Sequence, residues 1–510
     1  MGNSMPPPPS PERHSSASSL NDQESTATEQ TPLLRTEDPH EDFPENDAPK
    51  NFKRDDGGSL PNRQILLLCY ARMMEPIAFF SIFPFVAQMV QRNGHLPESD
   101  VGFYSGLIES VFSATQVAVL IFWGRLADRV GRKPVLLCSL LGLTIGPVLF
   151  CMATSIPQMI VFRCLAGAFS GSDLTIRTMI AENSTPRTQA MAFSWFYIGG
   201  NLGLFLGPII GGVLASPCTQ YPGLFGGIEF FERHPYALPG FATGTISAIG
   251  AIIVALFLDE TLPRDGVHHA RHPGEQQGPA RMPMRDIIKA PNVKLALSLY
   301  GHVMLLAFAF TAILPVLLYT PVSLGGLGFG PSLISLLMTA EAASQVAWLL
   351  LAFPILQRRL GSKGVLRVCG IAYPFTLAVY ILLNHLLRQG TDAAIVWFWI
   401  VITVDTLIGP GVAMAFTAVQ LALNDAAPSP RVLGTLNAVA LTLSSAIRSV
   451  APAATTALYA VGVRDQIFGG NLIWVVLVPL AAALGVAVEW LPEKREPRAP
   501  TDGDRDADAP

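Results

Sequence analysis

Of the charged residues inside long apolar runs, five carboxylates and two arginines are the candidates for chemistry. The acids are Glu75, Glu109, Asp173, Glu341 and Asp405, and the bases are Arg163 and Arg448. A bare charge in hydrocarbon is costly, so such groups pair, face water or carry a function. Desolvation favours the neutral form of a carboxylic acid. A buried acid can therefore hold a proton near neutral pH and release it when its cavity rehydrates. The chemistry on offer is proton binding and release. Arg163 can set a fixed positive charge beside such an acid, or it can bond backbone carbonyls. Arg448 is a candidate partner for Glu341 or Asp405, and spacing alone fixes no pairing.

The elements that hold these groups are apolar runs long enough to cross a bilayer, which takes roughly 20 residues each. Twelve follow one another, at 65–90, 102–123, 134–153, 156–178, 189–215, 236–258, 293–319, 332–355, 364–387, 393–422, 432–461 and 469–491. They are continuous rather than alternating with a two-residue period, so helices are expected and barrel strands are not. Composition agrees: 50% of the 510 residues are hydrophobic and only 14% charged, well below the charge a wetted surface needs. The fold class expected is an all-α membrane protein of twelve transmembrane helices in two six-helix halves. Its segments are a disordered cytosolic tail (1–61), one half (62–258), a cytosolic loop (259–292), a second half (293–492) and a cytosolic tail (493–510).

Lysine and arginine set the orientation. The second connection holds Arg125, Arg129, Arg132 and Lys133. The sixth holds Arg264, Arg271, Arg281, Arg285 and Lys289, and the eighth holds Arg358, Arg359, Lys363 and Arg367. Odd connections hold little beyond Arg92, Arg233, Arg388 and Arg464. Even connections and both termini are therefore expected in the cytosol, where the sequon Asn183-Ser184-Thr185 stays unmodified. No cleavable signal peptide is visible, so the first apolar run serves as the insertion signal.

The net charge of -4 suggests no nucleic-acid partner. Strings marking metalloproteases, serine hydrolases and nucleotide-binding loops are absent, so neither an enzyme nor direct ATP drive is expected. Of six cysteines, Cys69, Cys138, Cys151, Cys164 and Cys369 lie in or beside apolar runs, and only Cys218 lies in an outer loop. No disulfide, metal site or cofactor is expected. His268, His269 and His272 read as solvated loop. Phe79, Phe80, Phe83, Phe112, Trp195, Tyr197, Phe308 and Phe310 are candidates to line a cavity, or else to face lipid and neighbouring helices.

One connection is distinctive: Trp123-Gly124-Arg125-Leu126-Ala127-Asp128-Arg129-Val130-Gly131-Arg132-Lys133-Pro134. Glycines allow a tight turn and Pro134 suits a helix start. Asp128 can pair with Arg132 or cap a neighbouring helix N-terminus. Either contact is expected to latch the two halves on the cytosolic side. Gly124, Asp128, Arg129, Gly131, Arg132 and Lys133 are the candidate gating residues.

This string resembles the hallmark loop of the major facilitator superfamily, G-x-x-x-D-R-x-G-R-[RK]. In the fourth run, Arg163-Cys164-Leu165-Ala166-Gly167 resembles the family's intramembrane arginine motif. In the fifth, Gly203-Leu204-Phe205-Leu206-Gly207-Pro208-Ile209-Ile210-Gly211-Gly212 resembles the motif of its proton-driven antiporters. Ala71 to Ala78, Tyr104 to Ser110 and Ala427 to Asn437 are similar to the fungal and plant zinc-induced facilitator-like group. That group's cysteine-rich N-terminal signature is missing, so its substrates are not carried over. In the second half only Arg358-Arg359-Leu360-Gly361 remains of the loop motif.

The resemblance implies a secondary transporter working by alternating access, with its site between the halves near the midplane. Proton-coupled export of a small organic solute or drug is the leading expectation. The alternatives are proton symport or uniport of a nutrient or metal chelate, and a non-transporting membrane sensor. The expected partners are the lipid bilayer, protons and a small-molecule substrate, with the chain acting as a monomer. Glu29-Gln30-Thr31-Pro32-Leu33-Leu34 resembles an acidic dileucine sorting signal, which makes Leu33 and Leu34 a candidate adaptor contact and the vacuolar or plasma membrane the expected address.

Overall fold

The computed structural model describes residues 63–184, 188–262, 290–428 and 432–492. Leu33 and Leu34, the histidines of the central loop, Thr185 of the sequon and the tail from 493 onward lie outside the described residues.

Every long apolar run is a helix, because only a helix bonds all of its backbone groups within one segment. In the first half these are α1 (Arg63–Gly94), α2 (Val101–Val130), α3 (Arg132–Cys151), α4 (Ile156–Glu182), α5 (Gln189–Leu214) and α6 (Ala237–Phe257). In the second they are α7 (Pro291–Tyr319), α8 (331–360), α9 (362–389), α10 (Asp392–Asp425), α11 (Leu433–Arg464) and α12 (Leu472–Glu489). Helices α8 and α9 run into one another as a single 59-residue segment, Pro331–Gln389. At about 1.5 Å per residue it is roughly three bilayer cores long, so it must turn back. It does so at Gly361, whose φ of 66° and ψ of 178° lie where residues with a side chain are strained. The eleven apolar segments thus make twelve crossings. Among the described residues there is no strand.

Leu256, Phe375, Leu351, Ile121 and Trp490 are 68–71% exposed and form the lipid-facing belt. Inside, α1 packs along α5 and α6, and α3 along α6, in the first half. In the second, α9 packs along α12 and α10. The halves meet along two seams, α2 with α11 and α5 with α8.

Both seams are tightest at the end of the bundle that carries Gly94 and Tyr319. A Cβ on Gly106 would lie 1.7 Å from Thr456 Oγ1, and one on Gly212 2.0 Å from Ser335 Cβ. Three hydrogen bonds join the halves there. The Tyr319 hydroxyl donates to Gln91, the Ala453 N–H donates to Ser110 Oγ at 2.9 Å, and Ser335 Oγ donates to the Pro208 carbonyl at 2.5 Å.

Two helices lose regularity at membrane depth. Helix α8 widens into a π turn at Trp348–Ala352, and α10 tightens into a 3-10 turn at Gly409–Ala413 around Pro410. Proline there has no N–H to continue the ladder. The two irregular turns touch, with the Trp348 indole against Gly411. Ser344 Oγ and Trp348 Nε1 donate to the Leu407 carbonyl at 2.7 and 2.8 Å, satisfying a carbonyl beside the break. Irregular backbone at this depth is tolerated where it is buried in protein or lines a cavity.

Candidate functional site

The structure sorts the seven intramembrane charges into three groups. The first is a closed network within the first half. Glu75 of α1 accepts hydrogen bonds from Gln116 Nε2 (2.9 Å), Ser170 Oγ (2.9 Å) and Ser172 Oγ (2.7 Å), with Arg72 at 3.8 Å. Ser170 and Ser172 are brought to it by the break of α4 at Gly171. Asp173 forms ion pairs with Arg72 (3.2 Å) and Arg177 (3.0 Å). Both acids are therefore paired within the first half, although Asp173 Oδ1 and the Arg72 Nε facing it make no hydrogen bond. Gln116, Ser170 and Ser172 were missed in the sequence because small polar residues are common in any apolar helix.

The second group lies on the seam. Arg163 of α4 is buried, and its guanidinium stacks on Phe150 (4.8 Å), Phe112 (5.3 Å) and Phe79 (5.7 Å). Its Nε and Nη2 hydrogen-bond to no protein group. Three cation–π contacts together give about 2–5 kcal/mol, comparable to the ~2.5–3.5 kcal/mol that inserting arginine at a helix centre costs. The backbone-carbonyl role for Arg163 is not the one seen. Glu109 of α2 is buried beside Ile82, Val86, Ala312, Pro315 and Val316, so residues of both halves enclose it. Its charged neighbours are Arg448 and Arg163. Arg448 also lies over Phe79, at 4.8 Å.

The pairing of Arg448 with Glu341 or Asp405 is therefore overturned. Arg448 reaches across the seam from α11, and the acids it faces are Glu75, Glu109 and Asp173 of the other half. Helix α11 packs on α2, so its inward side chains meet first-half acids rather than those of α8 and α10.

The third group lines a cavity of about 220 Å³. Glu341 enters it from α8 and Asp405 from α10, the latter one turn before the 3-10 break. The Tyr380 hydroxyl of α9 donates to Glu341 Oε1 at 3.3 Å and also faces Asp405. Phe80 of α1, Leu204 and Pro208 of α5, and Phe310, Tyr373 and Phe416 supply apolar walls, so both halves contribute. Among the lining residues there is no lysine, arginine or histidine. Tyr380 was missed; two tyrosines seven residues apart in one apolar run, Tyr373 and Tyr380, were the available signal.

Of the eight aromatic candidates, Phe80 and Phe310 line the cavity. Phe79 and Phe112 cradle Arg163, Phe83 is core, Phe308 packs against the core, and Trp195 and Tyr197 are exposed.

The loop string is built around Arg132. Its guanidinium meets Asp128 Oδ1 (2.9 Å), the Ala127 carbonyl (2.7 Å) and Glu182 Oε1 (3.1 Å). Asp128 thus takes the first of its two expected partners. The helix N-terminus is taken by Glu260 instead, whose oxygens accept from the N–H groups of Arg132 (2.9 Å) and Lys133 (3.1 Å). A carboxylate at that position is favoured by the helix dipole. Desolvation works against the Glu260 anion. The N–H groups of Leu262, Arg132, Lys133 and Thr261 outweigh it and hold the carboxyl below its ordinary range. Gly131, at φ 117°, makes the turn, and a Cβ there would sit 2.5 Å from Glu260 Oε2. Trp123 Nε1 donates to the Ala168 carbonyl at 2.7 Å. All these contacts join α2, α3, α4 and the end of α6 within one half. A latch between the halves is not among them, because Arg132 folds back onto its own turn.

The glycine string of α5 is a packing surface. A Cβ on Gly203 would lie 2.6 Å from the Met73 carbonyl, one on Gly207 2.9 Å from Phe80 Cβ, and one on Gly211 1.8 Å from the Ser81 carbonyl, all on α1. Gly212 and Pro208 instead meet Ser335 of α8 across the seam. Among the described residues no cluster of His, Cys, Asp and Glu is arranged to hold a metal ion, and the six cysteines are free thiols.

The sequence model of the Major Facilitator Superfamily matches residues 68–452. The chain is 42% identical over 433 residues to efflux pump azaK of Aspergillus niger, covering 85% of this chain and 89% of that one. It is 26% identical over 443 residues to protein ZINC INDUCED FACILITATOR 1 of Arabidopsis thaliana, covering 81% and 87%. Among solved structures, a D-xylose-proton symporter superposes with a TM-score of 0.63 over 84% of this chain and 97% of its own, at 11% identity, a likeness of fold alone.

Proposed function

This chain belongs to the Major Facilitator Superfamily and is an integral multi-pass membrane transporter, not an enzyme; from that premise we propose that it is a proton-coupled antiporter that exports a small organic solute by alternating access. Export is supported by the efflux-pump relative. Coupling rests on one observation. Glu109 is a buried carboxylate on the seam, and one of its two charged neighbours, Arg448, rides on the other half. While Glu109 is an anion, its attraction to Arg448 favours the arrangement in which α2 and α11 are packed. A proton on Glu109 removes that attraction and favours separation of the halves. The proton state thereby biases which side the cavity faces, as a coupled transporter requires.

The lysine and arginine asymmetry supports cytosolic termini, with the tightly packed end that carries Gln91 and Tyr319 on the far side. On this reading the cavity of Glu341 and Asp405 opens to the cytosol to load solute. Leu33 and Leu34 are the proposed adaptor contact directing the protein to the vacuolar membrane. Unchanged location of a fluorescent fusion carrying Leu33→Ala and Leu34→Ala would remove that address.

The test is a sealed proteoliposome with an internal pH dye and an acid lumen, given a panel of organic solutes. Solute-dependent proton release is expected from the wild type and is expected to be lost in Glu109→Gln. Solute uptake with no proton movement would replace antiport by uniport.

A further inference from the structure

We propose that the cavity between Glu341 and Asp405 takes its solute as an organic cation, one positive charge on an apolar or aromatic body that fits about 220 Å³. The assignment rests on the transporter reading above for its role in flux, but the binding stands on the cavity itself.

Two acids from different helices converge on one space, with the Tyr380 hydroxyl between them. Neither meets an arginine, lysine or histidine among the described residues that line it. The contrast with the first half is direct. Glu75 there accepts from three hydroxyl or amide donors, and Asp173 is paired with two guanidiniums. Around Glu341 and Asp405 the described lining residues offer hydroxyl and amide groups but no guanidinium, and Arg448 of the same half is turned toward the other half. Asp405 also stands one turn before the 3-10 break of α10, beside the irregular backbone at Gly409–Ala413. Two buried acids in one cavity are neutralised by protons or by positive charge brought in from outside, and none of the described lining residues is a cation.

The walls select the rest of the ligand. Phe80, Phe310, Phe416 and Tyr373 put four aromatic side chains in the lining, and an aromatic face attracts a cation. An anionic solute would meet two carboxylates and no donor stronger than Thr311, Thr376, Gln345 or the tyrosine hydroxyls.

Binding to the purified full-length protein tests this with three probes of one skeleton: 4-phenylbutylammonium, 4-phenylbutan-1-ol and 4-phenylbutyrate. The ammonium is expected to bind at least about tenfold more tightly than the alcohol, from one charge-assisted hydrogen bond, and the carboxylate is expected not to bind. Glu341→Gln with Asp405→Asn is expected to erase the ammonium preference, so that ammonium and alcohol bind with similar affinity. Equal affinities, or preference for the carboxylate, would overturn the proposal from the wild type alone, even if the double variant fails to fold. A folded double variant that keeps the ammonium preference would overturn it too. Failure here and failure of antiport are distinguishable. Tight ammonium binding with flux indifferent to a proton gradient removes antiport and leaves the cation site. Proton-driven flux of a neutral or anionic solute, with no charge preference in binding, does the reverse.

Discussion

Alanine at Gly212 separates the two jobs of the glycine string. Its Cβ would lie 2.0 Å from Ser335 Cβ and 2.9 Å from the Pro331 carbonyl, both on α8 of the other half. Carbon atoms pack at about 3.5–4.0 Å, so α5 and α8 must part by roughly 1.5 Å. The Ser335–Pro208 hydrogen bond, 2.5 Å long, does not survive that shift. Losing it costs about 1 kcal/mol, and the overpacking adds about 1–3 kcal/mol. The sealed arrangement should therefore be disfavoured by about 2–4 kcal/mol, roughly 30- to 1,000-fold in population. Gly211 is the control: its Cβ would strike the Ser81 carbonyl at 1.8 Å, inside one half. Gly211→Ala should lower the unfolding temperature and leave the equilibrium between arrangements where it is. Spin labels at the exposed residues Arg233 and Ala393, in a background with the native cysteines replaced, report the distance between the halves at this end. A longer distance in Gly212→Ala and an unchanged one in Gly211→Ala is the expected pair. A wild-type distance in Gly212→Ala, or the same shift in both, would refute the assignment of one glycine to the seam and the other to the core of the half.

Asp128→Asn should change stability little, since a pair whose acid is 69% exposed is worth about 0.3–0.5 kcal/mol; a large drop in the unfolding temperature would contradict this. Glu260 holds its carboxyl below the ordinary range, so its anion stabilises the fold above that range, and the contribution is lost as pH falls through the depressed value. The unfolding temperature of the wild type should thus exceed that of Glu260→Gln at pH 7, with the gap closing on acidification; a gap that widens would contradict this. Arg163→Lys keeps the charge but loses the planar stack on Phe79, Phe112 and Phe150, which should cost about 1–3 kcal/mol and be read as a lower unfolding temperature.

The helices were legible because a bilayer demands a long apolar run for each crossing, and nothing local hides such runs. The turn between α8 and α9 was legible because Arg358, Arg359 and Lys363 interrupt two apolar runs, while its tightness at Gly361 was not. Most of the charges were also visible against their runs, although Arg72 and Arg177, the partners of Asp173, were not singled out. How the charges pair was not visible. Arg448 shows why: its sequence neighbours place it in the second half, but its contacts depend on which face of α11 meets α2. That is decided by packing across the seam, involving Gly102, Gly106 and Thr456, more than 300 residues apart in the chain. Glu260 was equally hidden, since its role at the start of α3 arises only when α6 ends beside that turn.

The two halves share a fold but divide the electrostatics unequally, and the division has a mechanical consequence. In the first half Arg72 and Arg177 are committed to Asp173, and hydroxyl donors to Glu75, so these acids move as one body with their helices. Glu109 is different because Arg448 belongs to the other body. Any rocking of the halves must stretch that attraction, whereas it leaves the Glu75 network intact. Glu341 and Asp405 are different again. They belong to one half, but the cavity they line is closed by Phe80, Leu204 and Pro208 of the other. Rocking therefore changes the water around those two acids without breaking a bond to either. A charge that strains when the halves move and a pair whose solvation changes when they move are two separate handles on one motion. If one proton served both, Glu109→Gln and Glu341→Gln would abolish the same step. Separate handles require that Glu109→Gln uncouple flux from the proton gradient while solute still binds, and that the cavity acids govern binding itself.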